Sequence, residues 1–88
     1  MKYLVFIRDR YHAEFTVFDL PSFLDSFCIN NGVDRSLVNV YKGLTDAQIL
    51  QVNNAMKTDG NIFTYDKGKA LVKTKAQVTV LEILLTPA

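Results

Sequence analysis

The stretch IFTYDKGKALVKTKAQVTVLEILL, residues 62–85, decides the fold. Ile62 to Tyr65 is rich in β-formers and runs into Asp66, Lys67, Gly68 and Lys69, a hairpin turn in which glycine takes a positive φ. Beyond the turn Ala70, Val72, Thr74, Ala76, Val78 and Val80 share one parity, and Lys69, Leu71, Lys73, Lys75 and Gln77 share the other. Alternation with period two is the mark of an extended chain. The segment is therefore one long strand, or two strands joined near Lys75 and Ala76. After Val80 the apolar parity passes to Leu81, Ile83 and Leu85. A β-bulge near Glu82 accounts for the switch, with a short C-terminal helix as the other option.

Upstream, residues 2–8 are apolar on both parities, as in a strand covered on two sides. A polar turn at Asp9 and Arg10 follows. Residues 12–18 then alternate, Ala13, Phe15 and Val17 against His12, Glu14 and Thr16, which predicts a hairpin. Asp19, Leu20, Pro21 and Ser22 form a helix start, a capping carboxylate followed by proline where no N–H is needed. Phe23, Leu24, Phe27 and Cys28 lie on one face of that helix, and Asn30, Asn31 and Gly32 end it. Residues 37–41 are a short strand. Thr45 and Gln48 have capping-box spacing at the head of a second helix whose Ile49, Leu50, Val52 and Met56 lie mostly on one face, and Asp59, Gly60 and Asn61 terminate it.

The order is β-β-α-β-α-β-β, with room for one more strand. It predicts a single α+β domain over residues 1–88, a two-layer sandwich of largely antiparallel sheet with two helices on one face. Eighty-eight residues leave space for one core. A hydrophobic share of 49% excludes a disordered chain, and ten Lys+Arg against nine Asp+Glu exclude both an acidic mimic of DNA and a histone-like polycation. Neither apolar terminal run is long enough to cross a membrane. With Cys28 the sole cysteine, no internal disulfide forms, and a cytoplasmic protein is expected.

Signatures of catalysis are missing. There is no glycine-rich phosphate loop, no paired-cysteine motif and no His-Glu-x-x-His, so no cofactor or metal is expected. His12 is the sole histidine; with Glu14 on the same predicted face it has the elements of a general base. That face also reads as the solvated side of a hairpin. Cys28, among Phe23, Leu24 and Phe27, has the surroundings of a small buried hydrophobe rather than of a thiolate nucleophile. Most of the aspartates fall at turns or helix starts, where they bond their own backbone.

One asymmetry stands out. Residues 67–88 carry a net charge of +3 and residues 1–66 a net charge of −2. Lys67, Lys69, Lys73 and Lys75 share parity and would form a row, with Phe63 and Tyr65 beside them. Cations and aromatics together are the ingredients of single-strand nucleic-acid binding. Against that, lysines also guard strand edges, and a pI near 7.8 lies below the ~9 of dedicated nucleic-acid domains. Arg8, Arg10 and Tyr11 make a second patch, of residue types enriched at interface hot spots. Two strands apolar on both faces call for a second cover, by a partner, by another copy in a homodimer, or by a small twisted sheet closing over itself within the chain.

In size and lack of motifs the chain looks like the small accessory proteins of bacteriophages and mobile elements. That resemblance implies binding and blocking of a host enzyme or defence complex; no matched residue carries it. The expected function is thus a non-catalytic protein-binding module, an inhibitor or regulator that docks through exposed sheet and hairpin turns. Its contact candidates are Arg8, Arg10, Tyr11, Tyr65, Lys67, Lys69, Lys73 and Lys75. Nucleic-acid binding by the lysine row is the alternative, and an enzyme built on His12 the third reading.

Overall fold

The computed structural model describes all 88 residues. Its elements are β1 (Lys2–Ile7), β2 (Arg10–Thr16), α1 (Leu20–Asn31), a 3₁₀ turn (Arg35–Leu37), β3 (Val38–Lys42), α2 (Asp46–Met56), β4 (Ile62–Asp66), β5 (Lys69–Lys73) and β6 (Thr79–Leu84). This is the α+β sandwich the patterning predicts, with antiparallel pairing throughout and β6 as the additional strand.

The helix ends form as their local sequences dictate. Asp19 accepts hydrogen bonds from the Ser22 amide at 3.4 Å and the Ser22 hydroxyl at 2.9 Å, and Gly32 closes α1 at φ +61°. The capping box of α2 is complete. The Thr45 amide donates to Gln48 Oε1 at 2.9 Å, and the Gln48 amide donates to Thr45 Oγ1 at 3.2 Å. At its other end α2 stops at Met56, before the glycine, and the Asn61 side-chain amide donates to the Ala55 carbonyl at 2.8 Å.

The strands divide into two three-stranded sheets, in the orders β2-β1-β3 and β4-β5-β6. The doubly apolar β1 accounts for the division, because each of its faces meets a different cover. Leu4 and Phe6 point into a core shared with Ala70, Val72, Ile83 and Leu85 of the second sheet and Val52 of α2. Val5 points the other way, into a cluster with Val38 and with Leu24 and Phe27 of α1. The two helices therefore do not share a face: α1 covers the outside of the first sheet, whereas α2 packs against the inner face of the second.

The C-terminal tail joins the sheets. The Leu85 amide donates to the Gly68 carbonyl at 2.9 Å, extending the β5–β6 ladder. Directly afterwards the Lys42 amide donates to Thr86 O at 2.8 Å and the Ala88 amide to Val40 O at 2.9 Å, so the chain has crossed to the free edge of β3.

Three irregularities set side-chain directions. In β6 the register shifts where Val72 faces Leu81 but Lys73 faces Thr79, leaving Val80 extra. This bulge, two residues before Glu82, is what turns Leu81 and Ile83 inward. In β2 the register shifts between Val5–Ala13 and Phe6–Tyr11, leaving His12 extra. The first hairpin turns at Arg8 and Asp9, one residue earlier than the sequence suggests, and both residues have positive φ, 51° and 65°.

That turn needs two left-handed residues and has no glycine. Left-handed backbone costs an ordinary residue about 1–2 kcal/mol, while a glycine loses about 0.5–1 kcal/mol more entropy on folding. The double variant Arg8→Asn, Asp9→Gly is therefore expected to gain about 1 kcal/mol of stability. A urea titration checks this; an unchanged or lower midpoint would mean that the Arg8 and Asp9 side chains hold the turn by contacts of their own.

Candidate docking surface

The second sheet has two unlike faces. With Tyr65 opposite Ala70 and Phe63 opposite Val72, the aromatics lie on the inner face, packed against the core. Lys69, Leu71 and Lys73 alternate onto the outer face, opposite Asp66, Thr64 and Ile62 on one side. On the other side Lys69 faces Leu84 and Leu71 faces Glu82. No helix covers this outer face. Ile62 is 56% exposed, Val80 50% and Leu84 75%, whereas Leu71, in the central strand, is buried.

The lysine row is broken. Lys69 and Lys73 do share the outer face, but Lys67 occupies the left-handed turn position at φ 49°, and Lys75 lies in the turn between β5 and β6. There the Thr74 carbonyl accepts from the Gln77 amide at 3.0 Å, and the Lys75 stem lies over Gly60. Lys69 is held by Glu82 at 3.0 Å. Phe63 and Tyr65 stand on the opposite face from Lys69 and Lys73, so the aromatics and lysines do not interleave.

The other candidates converge at one end of the molecule. Tyr11 and Tyr65 bring the two hairpin turns together, with ring centroids 4.7 Å apart. Phe6 lies beneath them, 5.6 Å from Tyr11 and 6.4 Å from Tyr65. Arg10 adjoins Tyr11 and Lys67 lies just beyond Tyr65, so the arginines and Lys67 rim this end together with Asp9 and Asp66. Burial, then the neighbouring Tyr11 and Glu14, push the Tyr65 phenol up to about 12; burial and Glu14 raise that of Tyr11. Both hydroxyls are protonated at neutral pH.

His12 and Glu14 do not form a pair. The bulge swings the imidazole to the α1 side, 5.5 Å from the Phe27 ring and 6.3 Å from that of Phe15. Glu14 instead sits 3.7 Å from Lys2. Cys28 is half-buried against the Leu24 and Phe27 cluster. No three His, Cys, Asp or Glu side chains lie close enough to share a metal ion. An open groove of about 360 Å³ lies elsewhere, at the start of β1, lined by Met1, Lys2, Lys42, Gly43, Leu44 and Thr45.

Sequence reasoning passed over Ile62 and Leu84 as surface residues. The double-sided apolarity of residues 78–85 was the available signal for Val80 and Leu84. Phe18, fully exposed between β2 and α1, shares the parity of His12, Glu14 and Thr16, so the alternation of residues 12–18 was its signal. No helix is long and apolar enough to cross a membrane. Compared with family models, curated proteins and solved structures, the chain has no significant match.

Proposed function

We propose that the chain is a non-catalytic protein-binding module that occludes its partner, an inhibitor or regulator by mechanism. The observation that carries this reading is the uncovered outer face of the second sheet. The first sheet hides its outer face beneath α1, while Ile62, Val80 and Leu84 present apolar surface to solvent. On that face Lys73, between Ile62 and the Val80 bulge, holds no ion pair, and neither do Lys67 and Lys75 in the turns at the two ends of β5; among the lysines and arginines only Lys2 and Lys69 do. Apolar side chains on the two edge strands, flanking lysines on the central one, match a protein surface whose apolar contacts flank carboxylates.

The docking test uses the double variant Ile62→Lys, Leu84→Lys. Both positions are exposed, so each substitution should cost the fold no more than about 0.5 kcal/mol in lost packing. Setting each new lysine opposite Lys73 or Lys69 adds up to about 1 kcal/mol more. A partner captured from the native host by the wild-type chain and identified by mass spectrometry should bind the variant at least about tenfold more weakly, about 1.4 kcal/mol. Equal retention would overturn the reading. Two further outcomes also count against it: a concentration-dependent dimer by light scattering that the same variant dissolves, and retention of an oligonucleotide that falls steeply with salt.

A further inference from the structure

Tyr11 owes its position to the bulge. Without the extra residue at His12, strict alternation would put Tyr11 on the α1 side with Ala13 and Phe15. With it, Tyr11 faces Phe6 across the ladder and lies on Tyr65, rings tilted by 42° at 4.7 Å. That separation is near the short end of the range for aromatic pairs, about 4.5–7 Å. Of the four tyrosines these two alone are in mutual contact. The Tyr3 hydroxyl donates to Met1 Sδ at 3.1 Å, and Tyr41 stands edge-on to Phe6 at 5.2 Å. Tyr11 is 37% exposed and Tyr65 partly so, so an oxidant in solution reaches the pair from the Tyr11 side.

We infer that Tyr11 and Tyr65 form an oxidative cross-linking site, converted to an intramolecular dityrosine by a one-electron oxidant such as a peroxide-charged haem peroxidase. Each phenol gives one electron to the oxidant and its hydroxyl proton to water. The two phenoxyl radicals pair their electrons in a carbon–carbon bond between ring positions ortho to the oxygens. The hydrogen on each coupled carbon then returns to its own oxygen, restoring both phenols. The net change is the loss of two electrons and two protons. Because the rings already touch, coupling needs rotation about χ2, a soft torsion, rather than movement of a strand.

The bond would join β2 to β4, an edge of the first sheet to an edge of the second, where no ladder ties the two. It would close a long loop and so lower the entropy of the unfolded chain. It would also lock the first hairpin turn to the β4–β5 turn, which borders the proposed docking face.

Photo-oxidation of the dilute 88-residue chain by tris-bipyridyl ruthenium(II), with persulfate as electron acceptor, tests the site. The expected product is a monomer lighter by two hydrogens, with dityrosine fluorescence, a proteolytic fragment linking Tyr11 to Tyr65, and a raised urea midpoint. Tyr11→Phe and Tyr65→Phe each keep the ring and should lower the yield at least tenfold, whereas Tyr41→Phe should leave it unchanged. Unfolding the wild-type chain in urea before the flash should also remove the 11–65 link. No cross-link, links only between chains, or equal yield from Tyr11→Phe would overturn the inference.

Discussion

Phe6→Ala is expected to cost about 3–5 kcal/mol, the range for deleting a buried aromatic ring. Natural domains are stabilised by about 0.05–0.15 kcal/mol per residue, so a chain of 88 residues holds roughly 4–13 kcal/mol. The substitution would therefore leave little of the native state or none at the lower end of that range. Phe6 is fully buried and belongs to the core between the sheets. Its ring meets Tyr11 of β2 at 5.6 Å, Tyr41 of β3 at 5.2 Å and Tyr65 of β4 at 6.4 Å. Removing it opens a cavity against both sheets at once, which cannot collapse without moving one sheet on the other. Phe6→Leu fills most of the space and should lose much less. Urea denaturation of the two variants measures the difference; a loss below about 1 kcal/mol for Phe6→Ala would show that the sheets can close over the gap.

Gly68→Ala is expected to lose about 2–3 kcal/mol, from left-handed strain and overpacking together. The backbone there has φ +76°, and an added Cβ would meet Tyr41 Oη at 2.7 Å and Cζ at 2.9 Å. The Tyr41 ring cannot easily retreat, because it packs edge-on against Phe6. Gly60→Ala supplies the comparison. It shares the positive φ, at +86°, but its nearest obstacle is Lys75 Cε at 2.5 Å, on a flexible stem that can swing into solvent. Gly68→Ala should thus be the more damaging by at least about 1 kcal/mol. Equal losses at the two positions would mean that backbone strain alone sets the cost and that the Tyr41 ring yields freely.

The reach of sequence reasoning varied with the distance between interacting residues. Thr45 and Gln48 are three residues apart, and their mutual hydrogen bonds could be read off the spacing. Asp19 and Ser22 follow the same rule, as does the Lys67–Gly68 turn. A two-residue turn there already pairs Tyr65 with Ala70, so the separation of the aromatics from Lys69 and Lys73 was legible too. The lysine row failed for a different reason. Shared parity puts residues on one face only while the strand is unbroken, and the turn after Lys73 removes Lys75 from it.

His12 shows the limit from the other side. Residues 12–18 alternate cleanly, and nothing in that stretch marks a bulge, because a bulge is a property of how two strands pair. Its consequences were equally hidden: Tyr11 placed on Tyr65, the imidazole parted from Glu14, and Glu14 beside Lys2.

Helix caps, turns, strand periodicity and the α+β class came from the sequence itself, since each depends on residues within a few positions of one another. The tertiary structure alone decided that the strands form two sheets, that α1 shields one of them, and that Ile62, Val80 and Leu84 stay uncovered. Those outcomes depend on which apolar faces meet across the folded chain. Burial is non-directional, so an apolar face specifies that it needs a cover without specifying which one.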